Sequence, residues 1–535
     1  MKLASPAAKA ALAFDGESTV ILDKARGQLG LGALKFNIAG EAAGFTNLKL
    51  RLAGGGSIPL GGGLPSAEQL DLNVEAQQGS ASIFGHLALK NLKTDGHQAS
   101  GSAAAEMSLK DGQRHATWRL ASLLGVDIRE SRLRMTDIKT EFELSDPQMP
   151  GKRLQARLQG MAAADFIRSR HEVQLNGTVD GKALRASVRH AGSGKPLEFD
   201  VDAESLDIDA LMPASASPGP APAGDKSRAG SAVVERPLDL SGLRPLHVDG
   251  RVRLGRLKVN RVTLTDVSAS LRAAGGVLIA DRVSAALYDG KLQASGRLNA
   301  SGAMSGLSIR QRIDGVALGP FLKDLAANDR LEGRATISAD VSAAGHTVSA
   351  MKRALNGQAS VSVADGLIRG IDIAGALRKA KDWNDRARGG YSQTVDRQEK
   401  TDFSELSASF AIAAGIAQNR DLSMKSPLLR VGGEGQIDIA AATLNYLVKA
   451  SVVATAKGQG GRDLSSLQGI TLPIRLTGSL ADPAYAVDFN ALVTDTARRK
   501  VEDAITRRLK DAGKPGAQGR QGGGLEGALK GLFGR

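Results

Sequence analysis

Cysteine is absent from the 535 residues, which excludes disulfides, thiolate metal sites and a thiol nucleophile. That absence fits a reducing cytoplasm or an envelope protein built without bridges. Aromatic residues are scarce, with twelve Phe, four Tyr and two Trp making up 3% of the chain. Nucleic-acid surfaces interleave basic residues with stacking rings, so nucleic acid is not expected as a partner, despite a formal net charge of +14. That charge instead suits an anionic surface such as lipid headgroups. No stretch approaches the roughly eighteen apolar residues of a membrane-spanning helix, and Met1 to Phe14 has too short an apolar centre for a signal peptide. The chain as written carries no membrane anchor. Glu17 to Asp23 already reads as a strand, as expected if Met1 were a start codon inside a longer gene.

Catalytic signatures are missing as well. The seven histidines (His86, His97, His115, His171, His190, His247 and His346) have no metal-ligand spacing and are expected at the surface. Gly192-Ser193-Gly194-Lys195-Pro196 resembles part of a phosphate loop, but Pro196 replaces the required Ser or Thr and a strand follows where a helix is needed. There is no Gly-x-Ser-x-Gly elbow. No catalytic, cofactor-binding or metal residues are assigned, and no enzyme or cofactor is expected.

What is present is alternation. A 42% hydrophobic share excludes a disordered chain, and the 64 glycines follow no Gly-X-Y period, which excludes collagen. Leu246, Val248, Gly250, Val252 and Leu254 share one face of a strand. The apolar set then changes parity to Leu257 and Val259, to Val262 and Leu264, and to Val267, Ala269 and Leu271, which marks turns or bulges. Leu331 to Val341 and Leu429 to Ile439 repeat the pattern. Leu48/Leu50/Leu52, Leu70/Leu72/Val74 and Leu154/Ala156/Leu158 carry it through the N-terminal half. Asp180-Gly181, Asp289-Gly290 and Asp365-Gly366 read as turns between antiparallel strands.

Helices are expected only near Pro320 to Ala326, Val348 to Leu355, Ile373 to Asn384 and Asn490 to Asp511. The last is amphipathic, with Val493, Ala497, Val501, Ala504, Ile505 and Leu509 on one face. Arg498 to Arg535 carries a local net charge of +6, which suits docking near anionic lipid or a helix plugging one end of the sheet. The expected organisation is an N-terminal β-rich segment over 1–211, a Pro/Ala/Ser/Gly-rich linker or loop insertion over 212–237, a β-domain over 238–489, the amphipathic helix over 490–512, and a Gly-rich tail over 513–535.

The fold class read from this pattern is mainly β: an antiparallel sheet with one apolar face and few short helices. A sheet with one apolar face and hardly any helices to cover it must close on another sheet, roll around itself or bind an apolar ligand. Small linings such as Ala, Val and Leu leave room for acyl chains. A run of ordinary β-sandwiches with Ala-rich cores is the competing architecture. The expected groove lining is Leu246, Val248, Val252, Leu254, Ile337, Val341, Val431, Ile437 and Ile439.

The order of phrases from Leu238 to Phe489 resembles the C-terminal domain of the AsmA family of Gram-negative envelope proteins. They run from LDLSGLRPLHVDGRVRLGRLKVNRVTLTDVSASL (Leu238 to Leu271) and GVLIADRVSAALYDGKLQASGRLNA (Gly276 to Ala300) to ALNGQASVSVADGLIRGIDIAGALRKA (Ala354 to Ala380). In the last, Gly357, Gly366, Gly370, Asp372 and Leu377 sit as the family pattern expects. Thr401 to Ile439 and Leu472 to Phe489 resemble its closing strands. Before the linker the likeness is one of texture only. The resemblance implies a bridge-like lipid-transfer protein of the periplasm, whose elongated, curled antiparallel sheet forms an apolar groove, tethered to the inner membrane through an anchor not expected in the chain as written. It would hold phospholipid acyl chains, move phospholipid between inner and outer membrane, and support outer-membrane assembly, with assembly proteins as further partners. A non-enzymatic scaffold or regulator of outer-membrane protein targeting is the alternative.

Overall fold

The computed structural model describes residues 2–5, 10–62, 64–211, 235, 237–369, 391–393, 400–427, 429–453, 471–480 and 483–487. Within them twenty-seven strands form one hydrogen-bonded sheet, long, curled and open. The expected mainly β, groove-forming fold is thus borne out. From β1 (Lys2–Ser5) and β2 (Ala10–Asp23) the strands pair in chain order as far as β20 (Asn356–Arg369). The order resumes with β22 (Lys400–Ala413) beside β20 and continues to β27 (Pro483–Val487). The short β21 (Tyr391–Gln393) lies on the far side of β27. At about 4.8 Å per strand the sheet measures on the order of 125 Å along its hydrogen-bonding direction.

Apolar residues that read as separate runs belong to single long strands. β15 (Val262–Ala274) carries both the Val262/Leu264 set and the Val267/Ala269/Leu271 set, and between them Asp266 takes φ 51°. Left-handed residues inside strands recur at Ala33, Asn91, Asp137, Arg282 and Asp365. Register shifts accompany many of them, as between Leu31 and Leu34 or between Ala280 and Val283. Each such bulge bends its strand and increases the local twist, which curls the sheet. Asp180-Gly181 and Asp289-Gly290 form turns as expected. Asp365-Gly366 does not. It lies inside β20 as a bulge opposite the Glu332 to Arg334 step, where Gly366 admits the ring of Phe403 from the next strand.

One neighbouring pair among the described strands is parallel. β13 (Leu197–Asp207) runs alongside β14 (Val248–Val259), with Val201 opposite Val252 and Ala203 opposite Leu254. A parallel pair needs a long return connection, and the Pro-rich stretch falls there. The sheet is therefore continuous across it. In α1 (Ile208–Leu211), which follows β13, Asp209 accepts the backbone N–H groups of Asn260 and Arg261 at 2.6 and 2.7 Å, tying the end of β13 to the β14–β15 turn.

The C-terminal end must be rolled up, by chain length alone. Seven residues from Gln393 to Lys400 reach at most about 25 Å. On a flat sheet, the six strand spacings from β21 to β22 would need about 29 Å. Two further short helices dock here: α2 (Leu318–Ala326), whose Leu318 is buried, and α3 (Val348–Arg353), capped by Thr347 Oγ1 accepting the Ala350 N–H at 3.1 Å. Both fall where the sequence placed helices. The expected helices at Ile373 to Asn384 and 490–512, the tail, and nearly all of the linker lie outside the described residues. No helix among the described residues is long and apolar enough to cross a membrane.

Candidate functional site

The two faces of the sheet differ in chemistry from end to end. One carries cross-strand ion pairs: Lys35 with Glu17, Arg119 with Glu106, Arg253 with Asp200, Arg310 with Asp340 and Lys425 with Glu405, at 2.7–3.1 Å. Most are solvent-exposed, each contributing about 1 kcal/mol or less, and together they keep this face wet.

The opposite face is apolar, and the strand register shows it as continuous levels. One level runs Phe36, Leu52, Leu72, Leu87, Ala105, Leu120, Thr140, Leu158, Gly177, Leu184, Ala203, Leu254 and Val267, each opposite the next across thirteen strands from β3 (Gln28–Ala42) to β15. Its hydroxyl-bearing member is neutralised in place: Thr140 Oγ1 accepts from Trp118 Nε1 and donates to the Arg119 carbonyl, both at 2.9 Å. Only at its C-terminal end, with Ala203, Leu254 and Val267, is this level buried. Earlier members stay half-buried or exposed, as Leu87 does at 38%, and Met107 on the adjacent level is 47% exposed. A hydrophobic face of this extent costs free energy in water at about 25 cal/mol per Å².

Toward the C-terminus the same face is packed by protein. Val316, Ala335, Val363, Leu406, Met424, Val431, Ala450 and Leu472 form a level across eight strands. Val316, Ala335, Val363, Ala450 and Leu472 are all 0% exposed. Two large rings sit here over glycines, Tyr446 against Gly435 and Phe403 against Gly366. Burial pushes the Tyr446 hydroxyl up to about 12, with Asp421 adding to the effect. Where α2 covers the strand ends, the Tyr288 hydroxyl donates to Asp324 and its ring meets Phe321 edge-on at 5.7 Å. Burial, then the Asp324 carboxylate, raises the Tyr288 hydroxyl as well. Among the described residues the furrow is thus open over β2 to β12 (Lys182–His190) and filled by its own side chains from about β18 (Ser305–Ala317) onward.

The nine residues expected to line the groove divide accordingly. Leu246, just before β14, is 38% exposed, and Val248 is half-buried opposite Leu197. Val252 packs against the small cluster of Ala203, Leu254, Val267 and Ala285. Ile337, Val431 and Ile437 belong to the large C-terminal cluster or pack on it. Val341 is half-buried opposite Gly357, and Ile439, also half-buried, follows β24 (Leu429–Asp438). Sequence reasoning passed over the exposed apolar positions of the N-terminal half, Leu87 and Met107 among them. Their alternation was visible, but nothing in a period-two pattern distinguishes a covered face from a bare one. Among the described residues no cluster of three or more metal-ligating side chains occurs.

Comparison with known proteins follows this geometry. Residues 186–422 match the AsmA family, which bears out the resemblance read from the phrases after Leu238. The match begins earlier than those phrases, inside β12, so the likeness before the linker is more than texture. "Protein AsmA" of Escherichia coli (strain K12) is 22% identical over 394 residues, which cover 71% of this chain and 62% of that protein. The chain thus spans under two thirds of the length of that relative. No solved structure matches.

Proposed function

With AsmA-family sequence over its central strands as the premise, we propose that this protein is a periplasmic lipid-transfer protein, tethered to the inner membrane. It moves phospholipid between inner and outer membrane and so supports outer-membrane assembly. The observation that carries the reading is the level from Phe36 to Leu184, a mostly apolar run whose members stay half-buried or exposed among the described residues. Each lipid methylene moved from water onto such a surface gains about 0.8 kcal/mol. Successive strands present nearly equivalent positions about 4.8 Å apart, so a tail can shift from one to the next without re-entering water. No catalytic residue is required, and direction would come from a gradient or from partners at the two ends.

The test is purification of the full chain from a Gram-negative host, with mass spectrometry of the extracted lipid and measurement of dye-labelled phospholipid transfer between vesicles. Stoichiometric phospholipid and accelerated transfer are expected. A folded, lipid-free protein that does not accelerate transfer, captured instead with outer-membrane assembly proteins, would favour a scaffold or regulator of protein targeting.

A further inference from the structure

Polar side chains interrupt the apolar face at one rim. His171 and His190 face each other in register on β11 (Arg170–Val179) and β12, in the level that continues through Leu197 and Val248. Their rings stack with centroids 5.9 Å apart and planes 9° from parallel, and Phe166 lies 5.9 Å beyond His171. They are half-buried, not at the surface as the sequence suggested. With Val173, Val188, Leu197 and Val248 they floor a cavity of about 730 Å³ whose rim is Gly194, Lys195, Pro245, Leu246 and His247. This volume lies in the range of small-molecule sites.

Three features set this cavity apart. First, it unites both parts of an amphiphile's requirement, since aliphatic floor residues continue into the open furrow while nitrogen donors gather at the edge. Second, among the described residues that line it there is no carboxylate. The nearest in sequence, Glu172 and Glu198, fall one residue out of phase, and the carboxylates Asp165 and Glu172 meet His171 and His190 only in a separate neighbouring cavity. Arg168 and Arg132 are engaged by Asp165 at 2.9 and 3.4 Å. Third, the donors are idle. His86 is paired with Asp71 at 3.1 Å and His97 with Arg129 at 3.0 Å. His171, His190, His247 and the Lys195 ammonium have no side-chain hydrogen bond or ion pair among the described residues. Unpaired donors over an apolar floor suit an anionic oxygen cluster carried on hydrocarbon.

We propose that the rim cavity of His171, His190, Lys195 and His247 seats the phosphate headgroup of a lipid whose acyl chains lie along the apolar face. This rests on the lipid-transfer reading and adds a recognition site to it. Lys195 supplies the counter-charge and the imidazole N–H groups donate to phosphate oxygens. The bare turn Gly192 to Gly194 lets the headgroup approach from solvent.

The test compares labelled phosphatidylglycerol with a diacylglycerol of the same acyl chains and label, using the full chain and a His171→Leu/His190→Leu/Lys195→Gln variant. Leucine keeps the floor apolar, and diacylglycerol binding by the variant reports that the furrow is intact. The wild type should bind phosphatidylglycerol about tenfold more tightly than diacylglycerol, and the variant should bind the two alike, with diacylglycerol unchanged. A variant that keeps the preference overturns the headgroup seat and leaves the apolar face standing. Failure of the wild type to bind either lipid overturns both. Broadening of the inorganic phosphate ³¹P signal by the wild type but not the variant, without any preference between the lipids, would make the site one for free phosphate and overturn the lipid assignment.

Discussion

The ring of Tyr446 lies flat against Gly435 on the neighbouring strand: a Cβ on Gly435 would come within 2.5 Å of Tyr446 Cγ and of the Asn445 carbonyl oxygen. In an interior this close-packed, neither the ring nor the backbone has room to give. Gly435→Ala should therefore destabilise the protein by about 1–3 kcal/mol by overpacking. Gly432, three residues earlier on β24, meets nothing nearer than a carbonyl at 3.8 Å. Gly432→Ala should stay within about 0.5 kcal/mol of the wild type. Urea unfolding of the two variants checks the pair, and equal losses would contradict the ring-on-glycine packing.

The same ring sets an alkaline limit. Burial raises the Tyr446 hydroxyl to about 12 in the folded protein, above the ordinary value near 10. A group whose folded value is raised contributes stability that is complete below its unfolded value and is lost as pH climbs toward the folded one. Stability should therefore decline between about pH 10 and 12, and Tyr446→Phe should flatten that decline. Absorbance titration at alkaline pH should show Tyr446 and Tyr288 both ionising late in the wild type, and the Phe variant should lose the Tyr446 contribution while keeping that of Tyr288.

At the other end of the pH scale, the turn after β10 (Arg153–Asp165) is held by a carboxylate. Asp165 accepts the Arg168 backbone N–H at 2.9 Å and pairs with the Arg168 guanidinium at 2.9 Å, which lowers its pKa to about 2. A depressed value contributes stability present above about pH 4, lost as pH falls toward 2. Asp165→Asn should remove this part of the acid sensitivity. Thermal unfolding between pH 5 and 2 measures it, and parallel curves for the two proteins would show that the turn plays no part.

How much of this was legible beforehand follows from what alternation encodes. Strand identity, the two short helices and the one-sided distribution of leucine and valine can all be read from residue order, because side chains alternate strictly along a strand. The parity changes after Gly255 and after Leu264 were visible too, but their cause was not: Gly255 lies inside β14 and the left-handed Asp266 across from it inside β15, both in continuous strands, whereas turns would give the same reversals. Asp365-Gly366 failed for that reason, since an Asp-Gly pair serves a bulge as well as a hairpin. The parallel pairing of Val201 with Val252 was illegible, because strand direction leaves no mark on composition. Equally hidden was whether Val431 and Leu87, alike in pattern, would be covered.

That last difference yields the sharpest functional test. Val431 is 5% exposed among Met424, Ala450 and their neighbours, so Val431→Asp buries an unpaired charge and should cost on the order of 4 kcal/mol or more. Loss of lipid by that variant would report unfolding. Leu87 and Met107 lie on adjacent levels of the open stretch, already part-exposed, so Leu87→Asp/Met107→Asp should cost only about 1–2 kcal/mol in strand propensity. If hydrocarbon occupies this stretch, the double variant should keep its circular dichroism and melting behaviour while losing most co-purifying phospholipid and vesicle transfer. The charges would break the apolar path at a part-exposed point. A folded double variant with an undiminished lipid load would mean that the bare face of β3 to β12 is not where lipid lies.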